Sequence, residues 1–257
     1  MMNVMNLIKC RHCRVRCFIL SVMIACTLLA QYPASAYAGY TEIGEPGTKS
    51  YVTKKSKLPV ILFVGDSRSM MCTYQGGKQS ARKNFCFLWV NGGNASVIKN
   101  KKGVLAPYLK KKIKKYRKRC VVVFNLGVNG NSHPKSNAKR IIRIYKWWMK
   151  HYPDVRFFVA SVNPTITNSG PYSNKNVKKV NKYLENEFRP EGIYIDTYSY
   201  LMKSGLITGK ASGMRDNYHY KWSAAKKILT KVRKSVTASL RKTAAEKRTK
   251  TVKAKTA

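Results

Sequence analysis

Few side chains in this sequence could act together as a nucleophile and its base. Ser67 stands in ILFVGDSRSMM, residues 61–71, where an apolar run ends abruptly in Gly65-Asp66-Ser67. Gly, Asp and Ser are ordinary turn residues. The stretch therefore reads either as a plain chain reversal or as a nucleophile held at the carboxyl edge of a sheet. A serine becomes nucleophilic at neutral pH when a base takes its proton, and that base needs an orienting partner. Outside the N-terminal leader described below, the candidate bases are His133, His151 and His219. His133 follows Asn131-Ser132 in a loop. His151 closes a helical pattern just before Tyr152-Pro153, where a cation suits a helix C-terminus. His219 lies in MRDNYHYKW, with Asp216 three residues before it. In a loop entering a helix, that spacing can bring a carboxylate to the imidazole Nδ1–H. The tautomer is then fixed and Nε2 is left to take a serine proton. Neither Gly-Asp-Ser nor Asp-x-x-His is specific alone. Together, one near the start of a domain and one just before its last helix, they point to hydrolysis by an activated serine.

Positioning them requires a scaffold, and the apolar runs supply one. LPVILFV (58–64), FCFLWV (85–90), CVVVFNL (120–126), VRFFVASV (155–162) and GIYID (192–196) read as strands. Near-continuous apolar strands imply burial on both faces, hence a parallel sheet. Between them the apolar residues recur at three and four. Examples are Val104, Leu105, Tyr108, Leu109, Ile113 and Tyr116, then Ile141, Ile144, Tyr145 and Trp148. Val177, Val180, Tyr183, Leu184 and Phe188 continue the pattern, and Ile228, Val232, Val236 and Leu240 form a final stripe. Strand and helix in alternation predict a doubly wound α/β domain, whose ligands bind outside the carboxyl ends of the strands. Gly65-Asp66-Ser67 falls at that edge, and so does Gly127-Val128-Asn129 after the third strand.

Gly65-Asp66-Ser67, Gly127-x-Asn129 and Asp216-x-x-His219, in that order and strand context, resemble the SGNH (GDSL-type) hydrolases over roughly residues 58–240. The resemblance implies a flavodoxin-like three-layer α/β/α fold with a parallel five-stranded sheet. It implies Ser67 as nucleophile, His219 as general base and Asp216 as the orienting acid. It also implies an oxyanion hole built from the Ser67 N–H, a glycine N–H and the Asn129 side-chain amide. Gly93 is preferred to Gly92 for that glycine. Such donors face the charge that develops on the carbonyl oxygen. No metal or organic cofactor is required. One departure stands out: the family's third motif commonly reads G-x-N-D, whereas here Gly130 follows Asn129. Asp66 is expected to hydrogen-bond within the turn. Arg68 reads equally as a residue that attracts an anionic substrate or as solvated surface. The polar segment SVNPTITNSGPYSN (161–174) is either a substrate loop or an ordinary connection. Trp89, Trp147 and Trp148 read as core residues in preference to sugar-stacking platforms.

The rest of the chain sets the context. Its 257 residues carry 51 Lys+Arg against 10 Asp+Glu, a formal charge of +41. Such a surface attracts polyanions. Lys9, Arg11, Arg14 and Arg16, then the apolar Cys17–Ala30, then the small residues of ASAYA, order themselves as a secretory signal peptide over residues 1–38, or a retained N-terminal anchor. Export disfavours nucleic acid as a specific partner and places the protein outside the cell or at its surface. Four of the seven cysteines lie in that leader. Cys72, Cys86 and Cys120 remain, either as buried thiols or with one Cys72–Cys86 bridge. Residues 39–57 read as a linker, 58–242 as the hydrolase domain and 243–257 as a disordered basic tail. With the ten Lys/Arg of residues 100–120, that tail suggests a surface for an anionic cell-wall polymer or anionic lipid.

The expectation is a secreted serine esterase that removes a small acyl group, foremost O-acetyl, from a carbohydrate or cell-wall polymer. A lipid-directed esterase or lysophospholipase is the nearest alternative. A basic binding protein on an inactive fold is the alternative of another class.

Overall fold

The computed structural model describes residues 45–53, 58–74, 79–208 and 213–256. The leader lies outside these residues.

Six strands form one sheet: β1 (Pro46–Ser50), β2 (Val60–Gly65), β3 (Phe85–Val90), β4 (Cys120–Asn125), β5 (Arg156–Ala160) and β6 (Tyr194–Ile195). They lie in the order β1-β3-β2-β4-β5-β6. β3, β2, β4, β5 and β6 are mutually parallel, which is the flavodoxin-like arrangement expected from sequence. β1 is additional. It pairs antiparallel with β3 at the sheet's edge, within the stretch expected to be a linker.

Among the described residues six α-helices fill the two faces: α1 (Ser67–Tyr74), α2 (Ala106–Tyr116), α3 (Pro134–His151), α4 (Asn174–Phe188), α5 (Thr197–Met202) and α6 (Trp222–Thr256). Alternation along the strands decides which layer each side chain enters. Val60, Leu62 and Val64 of β2, with Cys120, Val122 and Phe124 of β4, pack on the face covered by α2, α3 and α4. Ile61, Phe63, Val121 and Val123 point the other way, toward α5 and α6. Both central strands are buried along their whole length, which is why their sequences are unbroken apolar runs. Trp148 is a core residue: it is fully buried, and its Nε1–H donates to the Ile98 carbonyl at 2.8 Å. Trp147 is partly buried and Trp89 half-buried, each packed against one of the two cores.

Cys72, Cys86 and Cys120 are all free and buried, so no Cys72–Cys86 bridge forms. Burial pushes the Cys72 thiol up to about 12. The last helix also differs from expectation. α6 continues to Thr256 where a disordered tail was expected from residue 243. Its apolar stripe docks Ala224, Ala225, Ile228, Leu229, Val232 and Val236 on the sheet. A helix already nucleated by packing extends at little cost through Ala, Lys and Arg, all good helix formers.

The chain leaves β2 for β3 on one side and returns to β4 on the other. The carboxyl ends of β2 and β4 therefore flank the point where the strand order reverses, the place where such sheets bind ligands.

Candidate active site

Ser67 is the first residue of α1, two residues beyond the end of β2. Asp66 makes the corner. Its carbonyl accepts the Ser69 N–H at 2.9 Å, and its Oδ1 accepts the Arg68 N–H at 2.9 Å. Gly65 is required by close packing, because a Cβ there would lie 1.8 Å from Ser69 Oγ. The turn leaves Ser67 half-buried between fully buried Asp66 and Arg68.

The base arrives from 152 residues away, with His219 Nε2 2.9 Å from Ser67 Oγ. His219 belongs to a small loop before α6. Met214 and Tyr220 bridge antiparallel across it, and the Arg215 N–H donates to the His219 carbonyl at 2.8 Å. Within it Asp216 Oδ1 accepts the N–H groups of Tyr218 and His219, both at 2.8 Å, while Oδ2 meets His219 Nδ1 at 2.8 Å. Burial acts to raise the Asp216 pKa. The backbone and imidazole hydrogen bonds outweigh it and hold the carboxyl below its ordinary value. It is thus ionised when it orients the imidazole. His133 and His151 take no part in this contact. His133 caps α3, and His151 Nδ1 lies 2.8 Å from the Trp147 carbonyl with its ring stacked on the Trp147 indole.

Asn129 follows β4 and donates from Nδ2 to the Gly93 carbonyl at 2.9 Å. An amide has two N–H groups, so one is still available to a substrate. Gly93 corrects the expectation made of it. Its N–H donates to the Val90 carbonyl at 3.1 Å, closing a turn after β3, so it is spent within the protein. A Cβ there would sit 2.9 Å from that carbonyl, which explains the glycine. Gly93 holds the asparagine in place of supplying an oxyanion donor.

Gly130 explains the missing acid of the third motif. It adopts φ +94°, and a side chain at this position would meet Arg140 Nη2 at 2.8 Å. The loop is supported from α3 instead. Asn137 Nδ2 donates to the Gly127 carbonyl at 3.1 Å, and Arg140 Nη2 donates to Asn137 Oδ1 at 2.9 Å.

Arg68 is neither solvated nor turned toward a substrate. It is 2 % exposed and paired with Asp66, from Nε to Oδ1 at 3.2 Å and from Nη2 to Oδ2 at 3.3 Å. Its Nη1 donates to the Asn163 carbonyl at 2.9 Å. Burial opposes its charge, but Asp66 and the nearby Tyr220 hydroxyl outweigh that and raise its pKa. Tyr220 donates in turn to the Pro164 carbonyl. Each of Ser67 and His219 is therefore followed by a buried residue, and both of these fasten to the 163–164 segment. Asn163 is itself held by Asn125 of β4 and Thr197 of α5. The 161–174 segment also meets the histidine loop directly, through Ile166 N–H to the Asn217 carbonyl and the Tyr172–Tyr218 ring contact. Asn125, Asn163 and Tyr220 were not singled out from sequence as members of this site, and Arg68 was considered only as substrate-facing or solvated. The available signal was a polar residue at the carboxyl end of three successive strands: Asp66, Asn125 and Ser161.

Among the described residues no group of His, Cys, Asp and Glu is arranged to hold a metal ion. Taken together, the site offers an oriented serine–imidazole–carboxylate relay beside an amide donor, an arrangement suited to acyl transfer.

No family model matches the sequence, and no curated protein sequence matches it. Solved structures do. A Streptococcus pneumoniae protein named for platelet activating factor superposes with TM-score 0.54 at 13% identity, over 70% of this chain and 85% of that one. A member of the lipolytic G-D-S-L family from Veillonella parvula gives 0.52 at 12%, over 68% and 96%. A catalytic mutant of an acetylxylan esterase from Geobacillus stearothermophilus gives 0.52 at 11%, over 70% and 96%. The chain has the SGNH (GDSL-type) hydrolase fold.

Proposed function

On that fold, we propose that the protein is a secreted serine esterase that removes a small O-acyl group, foremost O-acetyl, from a carbohydrate or cell-wall polymer. The observation that carries the esterase reading is the 2.9 Å approach of His219 Nε2 to Ser67 Oγ, with Asp216 on the opposite ring nitrogen. The likeness to an acetylxylan esterase supports acetyl and carbohydrate, and the leader-like N-terminus supports export.

The reaction runs in two halves. Ser67 Oγ attacks the ester carbonyl as its proton passes to His219 Nε2. Negative charge on the carbonyl oxygen is met by the Ser67 N–H and the free hydrogen of the Asn129 amide. The tetrahedral adduct collapses, the bond to the alcohol breaks, and the imidazolium returns its proton to that alcohol. Water then attacks the acyl-serine with His219 again as base, releasing the acid and restoring Ser67. Asp216 stays ionised throughout and stabilises the imidazolium.

Hydrolysis of p-nitrophenyl acetate by the full chain tests this against the inactive-fold alternative. Ser67→Ala and His219→Gln should each lower kcat by at least about a thousandfold. Equal rates for wild type and Ser67→Ala would overturn the esterase reading.

A further inference from the structure

A second concave feature adjoins the oxyanion loop. It is a cleft of about 740 Å3 at the head of α3, lined by Ser132, His133, Lys135, Lys139, Arg140 and Arg143, with Pro134 and Ser136 beside them. Among the described residues no carboxylate lines it, and Pro134 is the one apolar side chain in that lining. Lys135, Lys139 and Arg143 are exposed and spaced four residues apart, so they share one stripe of the helix. The ion pairs of the described residues, such as Lys146–Glu187 and Arg189–Glu185, involve none of these cations. Arg140 Nε is buried and meets no acceptor. No Asp or Glu occurs between Asp66 and Asp154, so no carboxylate near in sequence neutralises the cluster. Lys135 also lines an adjoining groove that carries Lys179 and Lys182 of α4.

The cleft lies close to the chemistry. Asn129 and Ser132 are three residues apart, at most about 11 Å of chain. The Arg140 guanidinium rests against Gly130, next to Asn129. A polymer whose ester is cleaved at Ser67 would thus lay a neighbouring repeat unit in the cleft.

We propose that this cleft binds the anionic groups of the substrate, which makes the substrate an O-acylated polyanionic glycan polymer in preference to a neutral one. The proposal rests on the esterase reading and names its substrate class. A cation-lined seat whose described lining holds no carboxylate fits a charged chain. A bilayer surface calls for a broader set of exposed apolar anchors than Pro134 and the neighbouring Tyr183 provide.

The test separates this cleft from the protein's general positive charge. One variant of the full chain carries Lys135→Gln, Lys139→Gln and Arg143→Gln. A control removes three exposed charges elsewhere, Lys111→Gln, Lys114→Gln and Lys118→Gln. Acetate release is measured on O-acetylated polygalacturonate and on O-acetylated dextran, and p-nitrophenyl acetate reports the intact site. The cleft variant should raise KM for the acidic polymer about tenfold, while the control changes it less than about twofold, because charges more than a Debye length away are screened. Rates on acetylated dextran and p-nitrophenyl acetate should be unchanged in both. Equal KM shifts in the two variants, or none in the cleft variant, would overturn the proposal. Binding of labelled inorganic polyphosphate keeps the cleft testable if wild type proves to have no esterase activity, since it needs no turnover. Loss of phosphatidylglycerol-vesicle binding by the cleft variant, with polyphosphate binding intact, would assign the cleft to a membrane and sink the polymer proposal.

Discussion

Arg68 follows Ser67 directly, yet its charge is turned inward. With Asp66 it forms an ion pair in which both side chains are at most 1 % exposed. Removing one partner of such a pair strands the other charge in a low dielectric, whereas removing both is often nearly neutral. Arg68→Met should therefore destabilise the protein by about 3–5 kcal/mol in urea unfolding, and Asp66→Asn/Arg68→Met by less than the single change. A double variant as unstable as Arg68→Met would show that the arginine acts through Asn163 and not through Asp66. The contact of Ser67, His219 and Asp216 was legible because Gly-Asp-Ser and Asp-x-x-His are short local patterns whose spacing survives into the fold. Arg68 was not. Its burial depends on the Asn163 carbonyl, 95 residues away, and on Tyr220, and nothing local in sequence reports either. Gly93 was taken from the resemblance as an oxyanion donor, whereas its N–H is spent on the Val90 carbonyl, which a glycine's place in the sequence does not report.

The five parallel strands and four of the six helices could be read from apolar period, because each buries a stripe of its own. β1 could not. PGTKS has Pro, Gly and Lys and no alternation, and it joins the sheet through backbone hydrogen bonds at an edge, where side-chain pattern matters least. The short helix α5 was likewise hidden, being held by the Asp196 cap. α6 shows the opposite error: loss of the apolar stripe was taken for loss of structure. Its two halves have different reasons to be helical, and a proline substituted into each tells them apart. Ala225 is fully buried against the sheet, so Ala225→Pro should cost about 3 kcal/mol or more and lower the melting temperature of the whole domain. Ala245 is exposed, beyond the Arg156–Thr243 hydrogen bond at 2.9 Å. Ala245→Pro should reduce far-UV helicity while domain stability stays within about 0.5 kcal/mol. A comparable loss of stability in both variants would mean that the distal half is part of the domain's cooperative core.

Charge acts on folding and on binding with opposite sign, because both respond to the same excess. The chain's formal +41 is met inside the described residues by few ion pairs: Asp66–Arg68, Glu187–Lys146 and Glu185–Arg189, besides the histidine contact of Asp216. The remaining cations repel one another across a compact surface, and unfolding relieves that repulsion by spreading them. Salt screens it, since raising NaCl from about 0.1 M to about 1 M shortens the Debye length from about 10 Å to about 3 Å. Stability should accordingly rise, by about 1 kcal/mol or some 2–4 °C in melting temperature for a protein of this size. Over the same range, affinity for a polyanion should fall steeply, because each counterion released on binding gains less entropy in more concentrated salt. Thermal unfolding and polyphosphate binding in one salt series measure both slopes. A melting temperature that is flat or falls with NaCl would show that self-repulsion does not limit this fold. The lysines would then lie in positions where the folded chain already keeps them as far apart as the unfolded one.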